Sequence, residues 1–129
     1  MTLMADAQPM VSIVDDDLSV RRALSRLIRL AGYAVESFAS AREFLASDSR
    51  GRTTCLVLDI HLDEGGMSGF DLQERLVADG VAIPTIFITA HADARTRERV
   101  QQSGVAGFLS KPFGDQALLD LIHRESCPA

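Results

Sequence analysis

With 129 residues, 47% of them hydrophobic, the chain has the size and apolar content of one packed domain and little room for a second. A net charge of −5 and a pI near 5.0, without a basic stripe interleaved with aromatics, speak against a general affinity for nucleic acid. The two cysteines form no disulfide framework or zinc spacing, no apolar run approaches membrane-span length, and the start lacks a signal-peptide pattern, so a reduced cytoplasmic setting is expected.

Residues 1–9 read as a loose leader. Val11-Ser12-Ile13-Val14 predicts a first buried strand that ends on Asp15-Asp16-Asp17. Val20, Ala23, Leu24, Leu27, Ile28 and Ala31 then recur at the spacing of one helical face, and Gly32 stands just past the helix end. Arg21, Arg22, Arg26 and Arg29 lie on the same helix and are expected on a solvated or protein-docking face. Val35 to Phe38 reads as a short strand. Ser40 with Glu43 is a capping-box pattern opening a short helix through Ala46, and 47–54 reads as a polar loop.

Cys55 to Asp59 predicts the third strand; Ser68 with Asp71 opens a helix through Ala78 that Gly80 closes. Thr85 to Ile88, after Pro84, is the fourth strand. From Asp93 to Ser103 the residues form helices readily but offer almost no apolar face apart from Val100, which predicts a marginal helix able to change position. Gly107 to Leu109 or Ser110 is the fifth strand, and Leu118, Leu121 and Ile122 mark a last helix ending near His123. Five strands alternating with five helices imply a parallel sheet covered on both faces, with right-handed crossovers.

Open α/β sheets place their ligand sites at the carboxyl ends of the strands, where Asp15-Asp16-Asp17 and Asp59 stand. Carboxylates brought that close repel by roughly 1 to 4 kcal/mol per pair at about 4 Å, and a bound Mg²⁺ is the simplest compensation. Thr89 and Lys111 follow two further strands and add a hydroxyl and an ammonium to the same edge. Singly, each has an ordinary reading. Aspartates at a helix start satisfy free N–H groups and complement the dipole, a role that suits Asp17; Asp59 suits a turn, and Lys111 before Pro112, in either isomer, suits the surface. The order acid cluster, lone acid, hydroxyl, lysine on successive strand ends sets them apart.

On Val14-Asp15-Asp16-Asp17, Leu56-Val57-Leu58-Asp59, Met67-Ser68-Gly69, Ile88-Thr89-Ala90 and Lys111-Pro112-Phe113, the chain resembles the receiver domain of two-component response regulators, over roughly residues 10 to 124. The Lys-Pro-Phe ending is similar to that of nitrogen-fixation-type regulators. The resemblance implies a flavodoxin-like five-stranded sheet of order 2-1-3-4-5, with 125–129 left as a tail. It implies Asp59 as phosphoacceptor, Mg²⁺ held by Asp15, Asp16, Asp59 and the backbone carbonyl of His61, and Thr89 and Lys111 on phosphoryl oxygens. Thr89 and Phe108 would form the switch. The phosphodonor would be a histidine kinase or a histidine phosphotransfer protein, the chain would be a signalling receiver rather than an enzyme, and its output would pass by protein contact or a phosphorylation-dependent dimer. No nucleic-acid or membrane contact is expected of it.

Two departures stand out. The family spacing Asp-x-x-Met-Pro-x-Met-x-Gly is replaced by Asp59-Ile-His-Leu-Asp-Glu-Gly-Gly-Met-Ser-Gly69, two residues longer and without the proline, so a more flexible loop is expected over the site. The switch position on the fifth strand is Phe108, which has no hydroxyl. His61 and His91, two residues past Asp59 and Thr89, occupy positions that in the family border the path of the hydrolytic water; their plainer reading is exposed loop histidines. After His123 only residues 124–129 follow, which leads to the expectation of a single-domain regulator.

A rival reading matches Asp15-Asp16-Asp17-Leu18-Ser19 to Mg²⁺-dependent phosphohydrolases of haloacid-dehalogenase type, with Asp15 as nucleophile and Asp17 as general acid. It requires another acidic pair after Lys111, where the chain runs out within one helix, and gives Asp59 no task. A flavin- or nucleotide-binding module on the same fold requires a Ser/Thr/Gly-rich phosphate loop where three aspartates stand.

Overall fold

Successive strand residues face opposite sides of a sheet, and here both sides are apolar. The structure, a computed structural model, describes residues 9–62 and 66–126. Its elements are β1 (Met10–Val14), α1 (Leu18–Leu30), β2 (Ala34–Phe38), α2 (Ala41–Ala46), β3 (Cys55–Asp59), α3 (Gly69–Ala78), β4 (Thr85–Thr89), α4 (Ala94–Ser103), β5 (Gly107–Ser110) and α5 (Asp115–Ser126). The strands pair in parallel in the order β2-β1-β3-β4-β5.

One set of alternate strand residues, including Val11, Ile13, Val57, Ile86 and Ile88, packs against Leu24 and Ile28 of α1 and Leu118 and Ile122 of α5. The other set, including Val14, Leu56, Leu58 and Phe87, packs against Phe44, Phe70, Leu72, Leu76 and Val100 of α2, α3 and α4. Burying each such side chain stabilises the fold by about 1.5–3 kcal/mol. The two layers fix the pleat, so a slip of one residue would exchange the cores and move every strand-end side chain.

Helix ends follow the local chemistry. The Asp17 carboxylate accepts the N–H groups of Ser19 and Val20, Ser68 and Asp71 form a reciprocal capping box, and Asp93 accepts the Thr96 N–H. Gly104 ends α4 at φ 71°, a left-handed conformation that favours glycine.

Four expectations need correction. Ala23 and Ala31, placed by periodicity on the inner face of α1, are exposed, because the buried stripe is narrow and runs through Leu24, Ser25 and Ile28. Helix α5 continues to Ser126 rather than stopping near His123; nothing before Pro128 breaks it, and Arg124 donates to the Ala106 carbonyl at 3.3 Å. The 47–54 loop contains a 3-10 turn, Ser49–Gly51, where buried Ser49 donates to Glu36 and Arg52 pairs with Glu36 and Asp48. Strand β4 runs to Thr89, one residue beyond its expected end. The expected leader, apart from Pro9, and the centre of the loop expected to be flexible, 63–65, lie outside the described residues.

Candidate functional site

The register puts four candidate site residues at one edge. Val14 pairs with Leu58, Asp59 with Ile88, and Thr89 with Ser110, so Asp15, Asp59, Thr89 and Lys111 stand at the ends of four adjacent strands. This edge includes the point between β1 and β3 where the chain's crossovers reverse direction, the usual ligand position of a doubly wound sheet.

Asp15 is fully buried and Asp59 is 6% exposed. One Asp15 oxygen accepts the Asp17 N–H at 2.9 Å and the other accepts Lys111 Nζ at 3.1 Å. Asp59 accepts the His61 N–H at 3.0 Å on Oδ1 and Lys111 Nζ at 3.4 Å on Oδ2. The ammonium thus bridges two carboxylates. Burial, and then the Asp15 charge, push the Asp59 carboxyl up to about 6, although Lys111 and the His61 N–H pull it back. Burial works against the Lys111 charge, but Asp59 and Asp15 outweigh it and hold its proton more tightly than usual.

Carboxylate oxygens of Asp15, Asp16 and Asp59 all lie within 4.8 Å of one another. Three hard oxygen donors in that space fit Mg²⁺, which prefers oxygen ligands and retains several waters. Asp17 is drawn away: its carboxylate caps α1, so the acidic triplet divides into two pocket residues and one helix cap.

Thr89 is fully buried; its hydroxyl accepts the His91 N–H at 3.0 Å, and its carbonyl accepts the Lys111 N–H at 2.7 Å. An open cleft of about 350 Å³ lies beside these groups, lined by Asp59, His61, Ala90, His91 and Lys111. The Lys111–Pro112 peptide is cis. Phe108 is half-buried, with the Arg97 guanidinium 5.7 Å from its ring centre.

Three features escaped the sequence reading. The His61 and His91 rings meet edge to face, with centroids 5.4 Å apart, at the mouth of the cleft; equal spacing from two strand ends was the available clue. Arg21 donates to the Asp15 carbonyl at 2.7 Å and ties α1 to the acidic loop. Gly69 is required by close approach. A Cβ there would collide with the Asp59 carbonyl oxygen and lie 2.8 Å from Ile60 Cα, while the Gly69 N–H donates to the Ile60 carbonyl at 2.9 Å.

Residues 11–123 match the sequence model of a family described as response regulator receiver domain. Nodulation protein W of Bradyrhizobium diazoefficiens is 46% identical over 118 residues, 92% of this chain and 51% of that protein. Among solved structures, the response regulator StyR superimposes with a TM-score of 0.83 at 46% identity, over 92% of this chain and 59% of that one. FixJ-N superimposes with a TM-score of 0.81 at 32% identity, over 94% and 95%. The chain spans about half the length of the curated relatives it matches.

Proposed function

Because this chain belongs to the response regulator receiver family of two-component systems, we propose that it accepts a phosphoryl group on Asp59 from a histidine kinase or a histidine phosphotransfer protein. The observation that carries this is the placement of three carboxylates, a lysine ammonium and a buried threonine hydroxyl on adjacent strand ends. An Asp59 carboxylate oxygen attacks the phosphorus of the donor phosphohistidine. The P–N bond breaks, its electron pair stays with the imidazole ring, and an acyl phosphate forms on Asp59. Lys111 takes a phosphoryl oxygen, and the Thr89 hydroxyl donates to another. Asp15, Asp16, Asp59 and the His61 carbonyl would hold Mg²⁺, which would supply charge neutralisation to the transferring group.

His61 and His91 frame the approach of the water that later hydrolyses the acyl phosphate. Residues 10–124 form the switched unit, which works in the cytoplasm; among the described residues no helix is long and apolar enough to cross a membrane. Its output passes by protein contact through α4, β5 and α5, to a separate partner rather than a second copy.

Intact-protein mass after incubation with a small phosphodonor tests this reading. One phosphoryl group is expected with Mg²⁺ and none without it, none in Asp59→Ala, and retention of the acceptor in Asp15→Ala. Recovery of the phosphoryl group on Asp15 in a digest would transfer the reading to the phosphohydrolase class, although the capping role of Asp17 leaves that mechanism without its general acid.

A further inference from the structure

Apart from Arg21, which holds the Asp15 carbonyl, the arginines of α1 have no contact with the cleft beside Asp59. Arg22, Ser25, Arg26 and Arg29 fall at i, i+3, i+4 and i+7, which places them on one stripe of the helix. With Arg21 and with Ser37 of β2 they line a cleft of about 340 Å³ that has no acidic side chain in its wall. None of the four arginines forms an ion pair among the described residues, in a chain whose net charge is −5. Like charges at i, i+4 and i, i+3, here Arg22 with Arg26 and Arg26 with Arg29, cost a helix a few tenths of a kcal/mol per pair unless an anion offsets them.

Two further observations point to a ligand. Ser25 is 7% exposed and lines the cleft, and its hydroxyl has no hydrogen-bond partner among the described residues. A buried hydroxyl is ordinarily satisfied. In addition, Arg21 and Arg29 are held in place by backbone carbonyls, Asp15 at 2.7 Å and Val35 at 3.3 Å, so part of the ordering that anion binding requires is already complete.

We propose that this cleft is a binding site for a compact phosphate-bearing anion. Ser25 donates from its floor, and the guanidinium groups of Arg22, Arg26 and Arg29 surround the phosphoryl oxygens, in the planar geometry that suits such groups. The site is separate from the phosphoacceptor pocket and does not depend on phosphorylation of Asp59. The Arg21 bond to the Asp15 carbonyl connects the two.

The test is an amide NMR titration of the metal-free full chain with inorganic pyrophosphate, against NaCl at matched ionic strength. Saturable shifts are expected at residues 21–29 and 37. Affinity should fall by about tenfold or more in R22Q/R26Q and by about tenfold in Ser25→Ala, since each removes bonds to a charged ligand. Melting temperature and phosphodonor-driven labelling of Asp59 in the same variants confirm that the fold persists. A parallel arm sediments the protein with phosphatidylglycerol or phosphatidylcholine vesicles: binding to the former alone, lost in R22Q/R26Q, supports the same chemistry supplied by a lipid headgroup. Shifts centred on Asp59 and Lys111, unaltered affinity in either variant, or binding of neither probe would overturn the proposal.

Discussion

An ionised Asp59 is costly in the metal-free protein, because burial and the Asp15 charge outweigh the opposing effects of Lys111 and the His61 N–H. Its carboxyl titrates near 6 in the folded chain against 3.8 in an unperturbed one, so the folded state binds this proton more tightly. Its contribution therefore favours the fold at low pH, declines as pH rises from about 4 through about 6, and is an unrelieved penalty above that. Asp59→Asn should thus stabilise the metal-free protein by about 1–3 kcal/mol at pH 7 to 8, with the gain gone near pH 4. Thermal melts across that range check it, and a variant less stable than wild type at pH 8 would contradict it. Asp15, Asp59, Thr89 and Lys111 were legible in the sequence because each follows a strongly apolar strand, and strand ends of a parallel sheet converge. The His61–His91 contact and the Arg21 bond to Asp15 were not, since both depend on how a loop or a helix turns back over the edge.

At the scale of elements, α4 is the informative one. It buries only Thr96 and Val100, as its polar sequence predicts, yet two of its arginines reach aromatic rings on neighbouring elements. Arg99 lies 4.3 Å from the Phe70 ring centre and pairs with Glu74 of α3 at 3.6 Å, whereas Arg97 lies over Phe108 and donates to the Ala92 carbonyl at 3.0 Å. Exposed cation–π contacts contribute about 0.5–1 kcal/mol each. Arg99→Ala should therefore speed amide exchange within 94–103 by about two- to fivefold, from the loss of that contact, while barely moving the global melting temperature. Unchanged exchange would show that the rings do not anchor the helix. Sequence periodicity showed that α4 lacks an apolar stripe, but it could not show the arginine stems and heads that substitute for one. The same limit explains α1, where spacing marked a face and only packing against β1 and β2 decided that Ser25 rather than Ala23 or Ala31 would be buried.

Across the whole molecule, the apolar alternation of the strands dictates a doubly covered sheet, and the sheet brings the site and α4 to opposite ends of one short path. Thr89 closes β4 with its hydroxyl bound to the His91 N–H, and the chain continues through Ala92, which Arg97 holds, to the Asp93 cap of α4. A phosphoryl group on Asp59 would offer the Thr89 hydroxyl an acceptor, and movement of Thr89 toward it would open space behind for Phe108 to turn inward. That turn would remove the ring under Arg97 and loosen the weakly anchored helix. Amide hydrogen exchange with and without phosphorylation should therefore change in residues 89–110 and extend into α5, where Leu118 and Ile122 pack on the sheet. The Arg97→Ala variant, lacking the contact in both states, should show faster exchange in α4 before phosphorylation and a smaller change on it. Protection changes restricted to the strand-end loops at Asp15 and Asp59, with residues 93–123 unaltered, would mean that the charge added at Asp59 is not transmitted through Thr89 and Phe108 to this face.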